Sequence, residues 1–284
     1  MSSLLTLRSP AKINLFLQVL GRRSDGYHEI ASLLQAVDLC DTLRFEINQP
    51  AGVYCDDPRI PTDHSNTIVK AIDVFQRRTR LPVDVQVKVA KIIPSQAGLG
   101  GGSSNAATTL WALNQLYGKP ASLEELQQWA GEIGSDVPFF LSGGTAYCTG
   151  RGENITSLAP MPSEKLWIVK PRQGVSTPLI YQTLQLEALS ERNPKQALEA
   201  LIRGKGDYFN DLEETAFKLL PEIALLKDHL LAAGFRSVMM TGSGSALFCL
   251  GDGALPHFLE DVEAFSASYL NRPQEEWYLQ SVMQ

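Results

Sequence analysis

The run Pro94-Ser95-Gln96-Ala97-Gly98-Leu99-Gly100-Gly101-Gly102-Ser103-Ser104-Asn105 stands between two strongly patterned segments. Before it, residues 83–89 read VDVQVKV, the period-two alternation of a strand. After it, Ala107, Leu110, Leu113 and Leu116 recur at helical spacing, and Gly118 and Pro120 stop the repeat. Glycines let a backbone approach a ligand closely. The free N–H groups of such a loop and of the helix start attract negative charge. Ser103 and Ser104 add hydroxyls that reach a phosphate or a phosphate-bound metal. A polyphosphate therefore belongs here. The competing reading, a flexible Gly/Ser linker, suits this position poorly, because both flanks are regular structure.

Two other phosphate-binding patterns are excluded. No lysine follows the last glycine, so the GxxxxGK[ST] loop is absent. Ser103 stands where the GxGxxG fingerprint needs its third glycine or alanine, which argues against a dinucleotide oxidoreductase.

Elsewhere strands alternate with helices, which predicts an α/β or α+β fold. The first half carries strand patterns at 12–20, 42–47 and 145–148, with 53–55 expected to pair with 42–47. Asp25-Gly26 forms a turn, and a helix over 66–78 is capped by Ser65 or Asn66. Ser122 and Glu125 form a capping box, and Pro138 suits the first turn of a helix. A proline-rich stretch at 159–162 divides the chain into domains 1–160 and 161–284. The second half begins with a strand at 165–170. Helices follow at 196–202, 212–218, 222–233 and 255–270, two strands flank the glycine turn in VMMTGSGSALFCL, and a last strand covers 277–282.

Composition narrows the function. The 284 residues are 44% hydrophobic and 20% charged, enough apolar material for a substantial core. A net charge of −6 disfavours non-specific nucleic-acid binding, and the clusters Arg22–Arg23 and Arg77–Arg78–Arg80 read as solvated surface. No apolar run approaches the roughly 18–20 residues that span a bilayer, and the N-terminus lacks the pattern of a signal peptide. Cys40, Cys55, Cys148 and Cys249 are scattered, as expected of reduced thiols in a cytoplasmic protein. The four histidines offer no zinc spacing.

PxxxGLGGGSSN before an alanine-rich helix resembles the ATP loop of the GHMP kinases. Ser9-Pro10-Ala11-Lys12-Ile13-Asn14 resembles that superfamily's first motif, and Thr241-Gly242-Ser243-Gly244-Ser245-Ala246 its third. The resemblance covers nearly the whole chain. It implies two α/β domains with the active site in the cleft between them. Arg23-Ser24-Asp25-Gly26-Tyr27-His28 and Gly134-Ser135-Asp136-Val137-Pro138 narrow it to the branch that phosphorylates 4-diphosphocytidyl-2-C-methyl-D-erythritol. Ser95-Gln96 departs mildly, standing where the family often has small or apolar residues.

The resemblance also implies residue roles. Asp136, which the residues alone read as a helix N-cap, becomes the general base. Lys12, otherwise a solvent-facing strand lysine, becomes the catalytic lysine that favours a developing alkoxide. Asn14 is either an edge-strand polar residue or a polyol contact. Tyr27 and His28 are either loop packing or the base platform and its hydrogen-bonding partner, with Thr177 and Tyr181 supplying the other wall. Tyr27 and Tyr181 would sandwich a cytosine. Asn66 and Lys70 fall on the adenine side, where capping explains Asn66 equally well. ATP is the phosphoryl donor, and Mg2+ rides on it with no carboxylate ligand assigned. The expected partner is a small cytidine diphosphate polyol, with no nucleic acid and no membrane, and the expected assembly is a monomer or weak homodimer. A non-catalytic regulator on this fold is the competing function, expected to lack Lys12 or Asp136.

Overall fold

In the computed structural model, residues 4–47, 49–256, 262–273 and 276–278 are described. Two long antiparallel strands, β1 (Leu4–Arg22) and β2 (His28–Ile47), join through the polar turn at 23–27. Their register shifts at Pro10/Ala11, Asn14/Phe16 and Val19/Gly21. Such bulges twist a strand and re-aim its side chains, and two of them bracket Lys12 and Asn14. There follow β3 (Gly52–Cys55), α1 (Thr67–Thr79), β4 (Val85–Ala90), α2 (Gly101–Leu116) and α3 (Leu123–Ile133). A 3-10 turn at Pro138–Leu141 leads to β5 (Thr145–Gly150) and β6 (Asn154–Ser157).

β1, β2, β3, β4, β5 and β6 belong to one sheet. β2 is long enough to serve three neighbours: β1 along one edge, with β4 against residues 42–47 and β5 against residues 30–35 on the other. Leu43, Phe45, Val87 and Val89 are buried beneath α1, α2 and α3. Almost every residue of α2 is buried. Its small side chains, Ala106, Ala107 and Ala112 among them, let it lie in the middle of this layer, so the loop before it is held on a rigid support.

The second half adds β7 (Lys165–Pro171), α4 (Thr177–Thr183), α5 (Pro194–Ile202), β8 (Phe209–Asn210), α6 (Glu213–Leu219), α7 (Pro221–Ala232), β9 (Ser237–Met240), β10 (Leu247–Leu250) and β11 (Val262–Ser268). A second, antiparallel sheet runs β11-β7-β10-β9. β8 instead pairs in parallel with β1, at Phe16↔Phe209 and Leu17↔Asn210. Ile13, Leu15 and Phe16 share a buried cluster with Ile168, Phe248 and Leu250, which fixes the two sheets against each other.

The alternation of helix and strand, the Asn66 cap of α1 and the Ser122–Glu125 capping box are as expected. Three expectations differ. Residues 53–55 pair with β4 in parallel rather than with 42–47. Within 255–270, Val262–Ser268 is a strand, because pairing along the edge of β7 outweighs the local helical spacing; residues 257–261 lie outside the described residues. Trp277 and Tyr278 are buried but not in a strand, and 279–282 lie outside the described residues.

Candidate active site

Gln96, Gly98 and Gly100 all have positive φ, at 54, 73 and 69°. This left-handed alternation turns successive N–H groups toward one concavity. Gly100 also precedes α2 with no side-chain cap, so the first amides of that helix are not spent on one.

Three structures hold the loop in place. On the β1 side, the Lys12 N–H donates to the Leu99 carbonyl at 2.9 Å. On the opposite side the glycine turn between β9 and β10 presses backbone on backbone. A Cβ on Gly244 would lie 1.9 Å from Gly98 N, and one on Gly98 would lie 2.0 Å from the Thr241 carbonyl oxygen. Asn210 in turn holds that turn by donating from Nδ2 to the Met240 and Gly242 carbonyls, both at 2.8 Å. At the start of the loop, the fully buried Asp41 carboxylate accepts from Lys91 Nζ at 2.8 Å and from the Ile92 and Ile93 N–H groups, each at 2.8 Å. Asp41 and Lys91 were not legible as site residues, because 50 positions separate them and neither lies in a motif.

Two cavities open on opposite sides of this loop. The first, about 400 Å3, is lined by the loop from Pro94 to Ser103 together with Asn66, Ile68, Lys91 and Asn105. Asn66 both caps α1, accepting from Ile68 N at 2.8 Å, and faces this cavity, so its two readings coexist. Lys70 is exposed and lines neither cavity. Ser104 also turns away: it is fully buried, and its hydroxyl accepts from the Ser9 hydroxyl at 2.7 Å. Asn105 is the residue the sequence reading passed over. It is 5% exposed, lines the cavity and has an Oδ1 with no hydrogen-bond partner. Its position directly after the two serines was the available signal.

The second cavity, about 960 Å3, brings together Lys12, Asn14, Tyr27, His28, Asp136, Thr177 and Tyr181. Gln96, Gly98, Gly100 and Ser103 line both cavities and form their common wall. Lys12 is 3% exposed, and its Nζ donates to Asn14 Oδ1 at 2.6 Å and lies 3.7 Å from Asp136 Oδ2. Asn14 is held from three sides. Its Nδ2 donates to Ser32 Oγ at 2.8 Å, its N–H to Thr241 Oγ1 at 3.0 Å, and its Oδ1 also accepts from that hydroxyl at 3.3 Å. Asn14 thus orients the lysine as well as facing the cavity. Asp136 sits in a turn before the 3-10 segment, which has no side-chain cap, so the capping reading does not describe it here.

The aromatic end differs from the expected tyrosine pair. His28 stacks on Tyr181, with centroids 5.0 Å apart and planes at 28°. Tyr27 is 56% exposed and carries the Arg151 guanidinium over its ring at 4.9 Å. Burial, reinforced by Arg22, lowers the His28 pKa, which favours a neutral imidazole able to donate and accept. Burial raises the Tyr181 pKa, and the Asp136 charge adds to it, so the phenol keeps its proton. Burial likewise pushes the Cys148 thiol far up beside Asp136, leaving it inert. Thr177 shares a 2.6 Å hydrogen bond with Ser243, linking the start of α4 to the glycine turn.

Residues 66–144 match the GHMP kinases N terminal domain and residues 186–265 the GHMP kinases C terminal domain. The 4-diphosphocytidyl-2-C-methyl-D-erythritol kinase of Protochlamydia amoebophila is 50% identical over 272 residues, covering 96% of this chain and 92% of that protein. The chloroplastic/chromoplastic enzyme of the same name from Solanum lycopersicum is 40% identical over 297 residues, 99% of this chain and 74% of the relative. A crystal structure of 4-(cytidine 5'-diphospho)-2C-methyl-D-erythritol kinase superposes with a TM-score of 0.80 at 36% identity, covering 93% of this chain and 98% of its own.

Proposed function

The chain belongs to the GHMP kinases and, within them, to the 4-diphosphocytidyl-2-C-methyl-D-erythritol kinases; on that premise we propose that it transfers the γ-phosphate of ATP to the 2-hydroxyl of 4-diphosphocytidyl-2-C-methyl-D-erythritol, in the non-mevalonate route to isoprenoid precursors. The observation that carries this reading is the common wall. A phosphate loop with a nucleotide-sized cavity behind it separates that cavity from a Lys–Asp pair in front.

Phosphoryl transfer needs positioning and charge stabilisation more than covalent help. ATP occupies the smaller cavity, its phosphates on the loop amides and its adenine toward Asn66 and Asn105. The acceptor occupies the larger cavity, its cytosine beside Tyr27, His28 and Tyr181. Asp136 takes the proton of the 2-hydroxyl as that oxygen attacks the γ-phosphorus, and ADP leaves. Lys12, held by Asn14, supplies positive charge where the attacking oxygen becomes anionic. Magnesium neutralises phosphate charge when bound. Among the described residues no group of three or more His, Cys, Asp or Glu could hold a metal ion, and the Ser103 hydroxyl, on the wall shared by both cavities, is the side chain that would face one carried by ATP. We place the division between the two domains at residue 160, in the segment without regular structure between β6 and β7. Four free thiols support a cytoplasmic location, and no helix among the described residues is long and apolar enough to cross a membrane.

ADP release is the test, with Mg-ATP and the cytidyl polyol supplied together and each omitted in turn. Release that requires both is expected. ATP binding without acceptor-dependent release would refute this substrate and favour a regulator.

A further inference from the structure

The assigned roles leave the middle of the acceptor without a protein partner. Cytosine is recognised at one end of the larger cavity and the reacting hydroxyl meets Lys12 and Asp136 at the other. Between base and polyol the substrate carries a diphosphate, and no residue discussed so far answers that charge. Lys12 is engaged by Asn14 and Asp136. Arg22 pairs with His28 in the register of β1 and β2 and so belongs to the base end.

The remaining cation of this cavity is Arg151. It sits in the turn after β5, with its guanidinium 4.9 Å from the Tyr27 centroid. The next residue, Gly152, borders the reacting end, where a Cβ would lie 3.5 Å from Asp136 Oδ1. Arg151 therefore stands between the base platform and the general base. Its contact with Glu153, 3.5 Å from Nε to Oε1, is an ion-pair distance rather than a short hydrogen bond. Glu153 is occupied by the backbone as well, accepting the Arg151 N–H at 2.6 Å.

The position of the turn is fixed by a second carboxylate. Glu29 accepts the Gly150 N–H at 3.1 Å and pairs with Arg23 Nη1 at 2.7 Å, while the Arg23 N–H donates to the Tyr27 carbonyl at 2.8 Å. One network thus ties the turn bearing Tyr27 to the turn bearing Arg151 and sets the spacing of ring and guanidinium.

We propose that Arg151 clamps the diphosphate of the cytidyl substrate. The planar guanidinium offers paired N–H donors matched to phosphate oxygens, and its seat on the Tyr27 face orders it before the ligand arrives. The assignment rests on the substrate reading above. In this role Arg151 holds a part of the substrate that does not react, so its contribution is the same in ground and transition states and falls on KM rather than kcat.

The test uses the full chain and compares binding of CDP with cytidine, together with turnover of the cytidyl polyol. Arg151→Met keeps the apolar stem over Tyr27 and removes the charge. CDP binding and the acceptor KM are expected to worsen by about 10- to 100-fold, the scale of a charge-assisted hydrogen bond. Cytidine binding and the KM for ATP should stay within about 2-fold, which also shows that the variant is folded. Arg151→Lys should recover part of the CDP preference, since it restores charge without the planar fork. If Arg151→Met keeps the wild-type preference for CDP over cytidine, or loses cytidine binding equally, the clamp is refuted while the kinase reading stands. If the wild-type protein neither prefers CDP to cytidine nor turns over the polyol, the substrate reading itself falls.

Discussion

Gly244→Ala probes the support of the phosphate loop from the glycine turn packed against it, at a residue that also lines the larger cavity. The added Cβ would lie 1.9 Å from Gly98 N and 2.1 Å from Ala97 C, where ordinary contact begins near 3.4 Å. Both obstacles are backbone, so no side chain can swing aside. The loop must retreat on the order of 1.5 Å, or the turn between β9 and β10 must do so against Asn210. Overpacking of this kind costs about 1–3 kcal/mol. The functional loss should be of similar size, because a misplacement of about 1 Å can cost roughly 10²-fold in rate, about 2.7 kcal/mol of transition-state stabilisation. Urea denaturation, calorimetric titration of Mg-ATP and steady-state ADP release read the three consequences separately. Gly131→Ala serves as the control. Gly131 lies in α3 with nothing within 4 Å of its Cβ position, and the change should stabilise by about 0.5–1 kcal/mol without altering turnover. A Gly244→Ala protein with wild-type ATP affinity and turnover would refute the claim that the glycine turn positions the loop.

Asp136→Asn should lower kcat by about 10²–10⁴-fold while ATP still binds by calorimetry; near-normal turnover would remove Asp136 as the base. Lys91→Met leaves the fully buried Asp41 carboxylate without its ammonium, a loss of about 3–5 kcal/mol that urea denaturation would report. His28 has its pKa lowered in the folded state, so its share of stability is complete above the ordinary histidine value of about 6.5 and falls as pH drops through the folded value. Its imidazole resonances should titrate with a midpoint below that of a free histidine, and a midpoint at or above it would contradict the burial argument.

The loop, the helix behind it, the Asn66 cap and the Ser122–Glu125 capping box were legible because each is a local pattern whose chemistry is complete within about 15 residues. Lys12 and Asp136 were nameable only through motif resemblance, since nothing local distinguishes Lys12 from a surface strand lysine; burial on the bulged β1 does so in three dimensions. The tyrosine sandwich came with the motif resemblance rather than from any local pattern, and the fold seats His28 on Tyr181 and Arg151 on Tyr27. Asp41 and Lys91 illustrate a different limit: their pairing exists only because β2 and β4 are neighbours. Residues 262–268 were misread because strand formation there depends on the free edge of β7, which no window of sequence contains.

Because Gln96, Gly98, Gly100 and Ser103 line both cavities, the wall between nucleotide and acceptor is one loop thick. That sets a rule for molecules built to occupy both sides. Joining a nucleoside polyphosphate to a cytidine diphosphate makes the second binding event intramolecular, with avidity gains of about 10²–10⁴ over either half when the tether matches the span. In the proposed arrangement the tether passes Ser103, which lines both cavities, and the Lys12–Asp136 pair of the larger one. A tether too short to pass that point gains nothing from its second head, however well each head binds alone.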